Sequence, residues 1–156
     1  MLLNIVTDDE LLTSQIVKTI LLVILGIGII YNIFRFVRTE SGRGKFISIV
    51  ILIFLFTVVG FVYKQYRIEA ALLKTPLYIP GTTMGYCSAF AEGQGVEFEY
   101  EISGKKFRGC NTYHPISKDS IKVPGGKYWV RYSVEFPDKG RMDFQKPVKQ
   151  NAIINF

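Results

Sequence analysis

Residues 46–63 read FISIVILIFLFTVVGFVY, a stretch without a single charge. A helix rises 1.5 Å per residue, so a run of this length covers about 27 Å, close to the ~30 Å hydrocarbon core of a bilayer. Upstream, residues 16–34 read IVKTILLVILGIGIIYNIF, with one charge, Lys18, near the start. As two helices buried in a soluble fold, these segments would present apolar surface on every side. A chain of 156 residues has too little protein left to cover it. They are therefore expected to be transmembrane helices. Lys18 can snorkel to the headgroups, and Tyr31, Tyr63 and Tyr66 lie near the ends, where amphipathic rings favour the interface. A cleaved signal peptide is not expected, because the N-terminal flank carries Asp8, Asp9 and Glu10 and the first apolar run ends in NIFRFVR.

Between the spans lies a polar hairpin, residues 35–45, with Arg35, Arg38, Arg43 and Lys45 against Glu40. It is too short to fold alone, so the helices should be antiparallel neighbours, residues 16–66 forming one transmembrane hairpin after an N-terminal tail of residues 1–15. Gly26, Gly28 and Gly60 would permit close helix packing, although glycine is common in membrane helices and that plainer reading is the stronger. No Asp, Glu, Arg or His lies mid-span, which argues against a transporter. Two such helices could line a pore only as an oligomer, so assembly with copies of the chain is expected. The positive-inside count is a tie: four cations in the hairpin, and Lys18, Lys64, Arg67 and Lys74 on the other side. The first helix alone favours a cytoplasmic hairpin, while the cluster after the second span pulls the other way. The bacterial inner membrane is the expected location, with the side of the C-terminal domain left open.

The chain as a whole is 49% hydrophobic and 21% charged, against about 25% charged for average soluble domains. The apolar excess lies before residue 64, and the remainder has ordinary soluble composition. A large α/β enzyme and a disordered protein are both excluded. After a helical or stalk segment through residue 80, with turns at Thr75-Pro76 and Pro80-Gly81, the period changes from helical to two. In the soluble domain, residues 81–156, a first strand is expected from Thr82 to Phe90, followed by a flexible Glu92-Gly93-Gln94-Gly95. Val96, Phe98, Tyr100 and Ile102 then alternate with Glu97, Glu99 and Glu101. Ser103-Gly104 reads as a two-residue hairpin turn leading into a strand from Lys105 to Cys110. Pro124-Gly125-Gly126 is a further turn, after which Tyr128, Val130, Tyr132 and Val134 alternate with Lys127, Trp129, Arg131, Ser133 and Glu135. Pro137 to Gly140 should turn again, into a short strand beginning at Met142. About five strands with turns every 8–12 residues predict an antiparallel sheet or small open barrel, with Phe98, Tyr100, Tyr128, Val130 and Tyr132 in its core.

Catalytic chemistry is not expected. The chain lacks a nucleophile elbow, a phosphate-binding loop and metal-ligand spacing, and His114 is its only histidine, so neither cofactor nor metal is predicted. The three glutamates should make cross-strand ion pairs with Lys127 and Arg131 rather than serve as paired catalytic carboxylates. Binding is more credible. Trp129 falls between Lys127 and Arg131, and Arg108 precedes a loop containing Tyr113 and His114. An aromatic ring between cations can stack a base while the cations meet phosphate. These six residues form the candidate ligand site, set against a plainer role in solubility and loop packing. Cys87 and Cys110 could pair in an exported domain or stay as thiols in the cytoplasm.

The segments GTTMGYCSAF, GVEFEYEISGKKFRG and IKVPGGKYWVRYSVEFPDKGRMDF resemble small β-domains of bacterial membrane proteins. Their shared features are a hairpin matched at Gly104, Lys105, Phe107 and Gly109, and a V-P-G-x-[KR]-Y strand from which residues 123–128 depart slightly. The likeness covers about half of the chain and implies a fold. The plan of two membrane helices followed by a minimal β-domain also resembles the two-transmembrane β-barrel effectors of bacterial antiphage signalling. That resemblance implies a cytoplasmic β-domain binding a cyclic oligonucleotide, not DNA, and helices that assemble to breach the membrane. The leading expectation is a non-enzymatic inner-membrane sensor or effector whose β-domain binds a nucleotide-like second messenger or a protein and thereby controls assembly of the helices. The alternative is an envelope immunity or accessory protein with an exported, protein-binding β-domain.

Overall fold

The computed structural model describes residues 7–89, 93–112 and 116–148. The chain forms two long apolar helices followed by a five-stranded antiparallel sheet, as expected. It divides into two compact units, one spanning Leu12–Ala70 and the other combining Met1–Leu11 with Ala71–Phe156.

Helix α1 runs Asp8–Arg38 and α2 runs Gly42–Lys74, about 46 and 50 Å long at 1.5 Å per residue. Thr7 and Glu10 set the start of α1. The Thr7 carbonyl accepts the Leu11 N–H at 3.0 Å, and the Thr7 hydroxyl donates to Glu10 Oε2 at 2.6 Å, a variant of the capping box. Acids in the first turn and Arg35 and Arg38 in the last complement the helix dipole. Only residues 39–41 separate the helices, which makes them antiparallel neighbours.

Both helices are long and apolar enough to cross a membrane. Their outward faces are bare of protein: Ile27 is 62% and Phe54 66% exposed. Thr19, Asn32 and Thr57 satisfy their polar groups by bonding back to the carbonyls of Gln15, Gly28 and Ile53 at 2.9–3.0 Å. Of the three candidate packing glycines, Gly28 faces Leu55 of the other helix, whereas Gly26 and Gly60 face open space. Lys18 is engaged within the helix pair. Its ammonium pairs with Glu69 Oε2 at 2.6 Å and also donates to the Ser14 hydroxyl, while Gln15 Nε2 donates to the Tyr66 carbonyl at 3.1 Å. Glu69 is buried, so this cluster ties the two helices together where α2 continues past its uncharged run.

The sheet has strand order β3-β2-β1-β4-β5, with β1 Leu77–Ala89, β2 Gly93–Ile102, β3 Lys105–Asn111, β4 Lys127–Ser133 and β5 Phe136–Pro147. The central β1 changes partners along its length. Leu77 to Thr82 pair with β4, and Gly81 to Ala89 pair with β2, with a bulge between Thr83 and Gly85. A strand shared in this way curls the sheet. The curl brings its edges together: Asn111 Nδ2 on β3 donates to the Met142 carbonyl on β5 at 2.8 Å. Inside lie Val96, Phe98, Tyr100, Ile121, Tyr128, Val130, Met142 and Phe144. Gly109 has no side chain because a Cβ there would stand 2.5 Å from Cζ of Phe98. Tyr132, expected in this core, is only half-buried.

Several boundaries differ from the sequence expectation. Pro80-Gly81 is no turn but lies within β1, at the point where pairing with β2 begins. On that side Pro80 needs no N–H. Gly93, Gln94 and Gly95 are strand rather than loop, because each pairs with β1. The turn expected at Pro137 falls earlier, at Val134-Glu135, and β5 starts at Phe136 opposite Ser133. Proline is tolerated there because β5 is an edge strand. Ser103-Gly104 is the expected turn, with positive φ at both residues.

Tyr100 closes the curl. Its hydroxyl donates to the Pro137 carbonyl at 2.6 Å and accepts the Gly140 N–H at 3.0 Å, and burial pushes its pKa above the ordinary tyrosine value. Tyr100→Phe orphans both β5 groups while leaving the ring in place. It should cost about 1–3 kcal/mol in chemical denaturation of the full chain; a loss within error would show that these two bonds do not hold β5.

Candidate functional site

The face of the sheet opposite the core carries the sequence-predicted ligand residues in rows set by strand register. One row runs Arg108, Glu99, Thr82, Lys127 across β3, β2, β1 and β4. The next places Pro80 beside Trp129 and Trp129 beside Asp143, and a third aligns Tyr78, Arg131 and Arg141. Arg108 and Lys127 are thus on one face but three strand spacings apart, about 14 Å. Lys127 is exposed and Trp129 half-buried two residues further along β4. Tyr113 and His114 lie outside the described residues.

Arg131 is not available to a ligand in the way the sequence suggested. It is 2% exposed, and its guanidinium is committed. Nε and Nη2 donate to the Leu72 carbonyl at 3.0 and 2.7 Å, and Nη1 pairs with Asp8 Oδ1 at 2.6 Å. Leu72 lies in the last turn of α2 and Asp8 in the first turn of α1, so one β4 side chain clasps both helix ends. Capping the carbonyl end of a helix with a cation satisfies a group that the helix itself leaves without a donor. Tyr78 stacks over the same guanidinium, 6.0 Å from ring centroid to Cζ, and Lys146 approaches that ring at 5.9 Å. Sequence alternation put Arg131 on the outer face correctly. It could not show that helix ends cover that part of the face.

The glutamate ion pairs also form with different partners. Glu99 pairs with Lys106 and Arg108 of β3, each at 3.2 Å, rather than with Lys127 and Arg131. The strand order explains this, since β2 lies between β3 and β1 and is not paired with β4. Hydrogen bonds from Lys106, then Arg108, hold the Glu99 carboxyl below its ordinary pKa. Both cations are about two-thirds exposed, so water screens the pairs.

Cys87 on β1 and Cys110 on β3 form a disulfide with a Cα separation of 6.1 Å. Their strands flank β2, and the bridge crosses it at Gly95. A Cβ on Gly95 would meet Cys110 Sγ at 3.0 Å and the Asn111 carbonyl oxygen at 2.7 Å, so only glycine fits beneath the bridge. No group of three or more His, Cys, Asp or Glu side chains suited to a metal ion occurs among the described residues. Comparison with family models, curated proteins and solved structures returned no match.

Two outcomes follow from this geometry. Arg131→Met leaves the Leu72 carbonyl without its donor and should cost about 1–3 kcal/mol, whereas Asp8→Asn, at a largely exposed carboxylate, should cost no more than about 1 kcal/mol; denaturant titration of both variants checks the order. Removing both cations with Lys106→Gln and Arg108→Gln should raise the Glu99 pKa towards the usual glutamate value of about 4.3, read by NMR titration. The depressed pKa means that its small stabilisation is present above the unfolded-state pKa and fades as pH falls through the folded one.

Proposed function

We propose that the chain is a two-span inner-membrane protein whose β-domain lies on the exported side and serves as a protein-binding module. This is the immunity or accessory role, not an enzymatic one. The observation that carries it is the Cys87–Cys110 bridge, because disulfides persist in oxidising compartments and are rare in the cytoplasm. With both helices crossing, an exported β-domain puts the acidic first turn of α1 outside and the basic 35–45 hairpin inside. That agrees with the preference of the first span taken alone.

The outer face of the domain supports a protein partner over an oligonucleotide. Its strongest cation cluster, Lys106 with Arg108, is matched by Glu99, and Arg131 is committed to Leu72 and Asp8. Besides exposed Lys127, that face leaves Tyr78 about half exposed, and Met84 and Tyr86 are about half exposed further along β1. Tyrosine, tryptophan and methionine are the side chains enriched where proteins meet proteins. The competing reading, a cytoplasmic sensor for a nucleotide-like messenger that controls helix assembly in antiphage defence, draws on Lys127 beside Trp129 and requires the domain inside.

A topology reporter fused after Phe156, with rapid alkylation of intact cells, separates the two. The exported reading expects reporter activity only outside the cytoplasm and both cysteines protected from alkylation; cytoplasmic activity with two alkylated cysteines overturns it. A photocrosslinker replacing Tyr86 should then capture an envelope protein. Cys87→Ser with Cys110→Ser should lower stability by about 3 kcal/mol, the chain-entropy value for a loop of this size.

A further inference from the structure

At the hairpin end of the helix pair, Tyr31, Phe34, Arg35, Arg38 and Thr39 line an open groove of about 540 Å³. The first four recur at i, i+3, i+4 and i+7, which places them on one face of α1, rings towards the apolar span and guanidinium groups towards its end. Tyr31 and Phe34 are 66% and 62% exposed. Neither arginine has an ion-pair partner among the described residues, and the same holds for Arg43, Lys45 and the nearby Glu40. Several cations elsewhere are matched: Lys18 by Glu69, Lys106 and Arg108 by Glu99, and Arg131 by Asp8. Exposed lysines such as Lys122 and Lys127 are not matched among the described residues, so what sets Arg35 and Arg38 apart is their place above two exposed rings in one groove. A helix C-terminus and the inner flank of a span both favour cations, which accounts for basic residues at this end in general. Neither rule sets two arginines on one helix face directly above two exposed rings.

We propose that this groove binds the phosphate-bearing headgroup of an anionic glycerophospholipid. Arg35 and Arg38 would take the phosphate oxygens, by the fork geometry that suits guanidinium to phosphate, and Tyr31 and Phe34 would pack the glycerol and upper acyl carbons. A free phosphate would use the arginines but not the rings; a lipid uses both. The proposal rests on the reading of α1 and α2 as membrane-embedded. It adds a preference for lipid type that embedding alone does not require.

The test uses the full chain purified in detergent, exposed to equal amounts of phosphatidylglycerol and phosphatidylcholine, with bound lipid counted by native mass spectrometry. Wild type should retain phosphatidylglycerol in clear excess. Each of Arg35→Gln and Arg38→Gln should cut that excess about fivefold, the weight of one cation near an anionic surface, and the double variant should bring it close to parity. Lys122→Gln, an exposed cation of the β-domain, should leave it unchanged. Equal retention of both lipids by wild type, an unchanged excess in the double variant, or displacement of the lipid by millimolar inorganic phosphate would overturn the proposal. Flotation with pure phosphatidylcholine vesicles separates this failure from that of the membrane reading. Wild type and the double variant should both float. A wild type that stays out of the vesicles sinks both readings, and one that floats without lipid preference sinks only this one.

Discussion

The apolar surface that α1 and α2 turn outward is the constraint on which the rest of the reading depends. Side chains such as Ile27 and Phe54 are exposed along both helices, and nothing in the described chain covers them. Each fully exposed leucine- or phenylalanine-sized side chain forgoes about 1.5–3 kcal/mol of burial, so over two spans the sum far exceeds the stability of an ordinary domain. Lipid is the environment that removes this cost without a protein partner. It also accounts for the polar residues within the helices, which bond back to their own backbones instead of seeking water.

Along the helices and the sheet, the charged groups sort into three places with different duties. Lys18, Ser14 and Glu69 join the helices to each other. Arg131 joins the sheet to the first turn of α1 and the last turn of α2, so the smallest part of the chain capable of folding around this core includes those turns. The cations at the hairpin end have no ion-pair partner among the described residues, and the proposal that they meet lipid phosphate follows from the groove that Arg35 and Arg38 share with Tyr31 and Phe34. On the sheet, two covalent or polar ties act at opposite ends of β2. The disulfide spans it at Gly95, and Tyr100 reaches across to β5. A domain this small buries only about 60% of its unfolded surface, and such ties supplement a limited core.

The helices were legible because an uncharged run of this length has few alternatives, and the 96–102 alternation and the Ser103-Gly104 turn were equally plain. The strand limits misread at Pro80 and Pro137 share one cause. Proline and glycine mark turns only on average, and an edge or a change of partner lets a strand run through them. Alternation gave the face of Arg131 but not its cover, because the helix turns that bury it lie about 60 and 120 residues away in the chain. The same limit hid the true partners of Glu99, which depend on strand order. Lys18 and Glu69 could have been paired from sequence by folding the two apolar runs against each other about the hairpin. Nothing local distinguishes Arg35 and Arg38 from ordinary flanking cations, and their unpaired state is visible only in three dimensions.

The most direct measurement is collision accessibility of spin labels placed singly at Ile27 on α1 and Phe54 on α2, in the full chain reconstituted into vesicles. Embedded helices should make both labels accessible to oxygen, which concentrates in the hydrocarbon, and inaccessible to a water-soluble nickel chelate. Labels relaxed by the chelate as readily as by oxygen would put these faces in water and contradict the membrane-spanning arrangement.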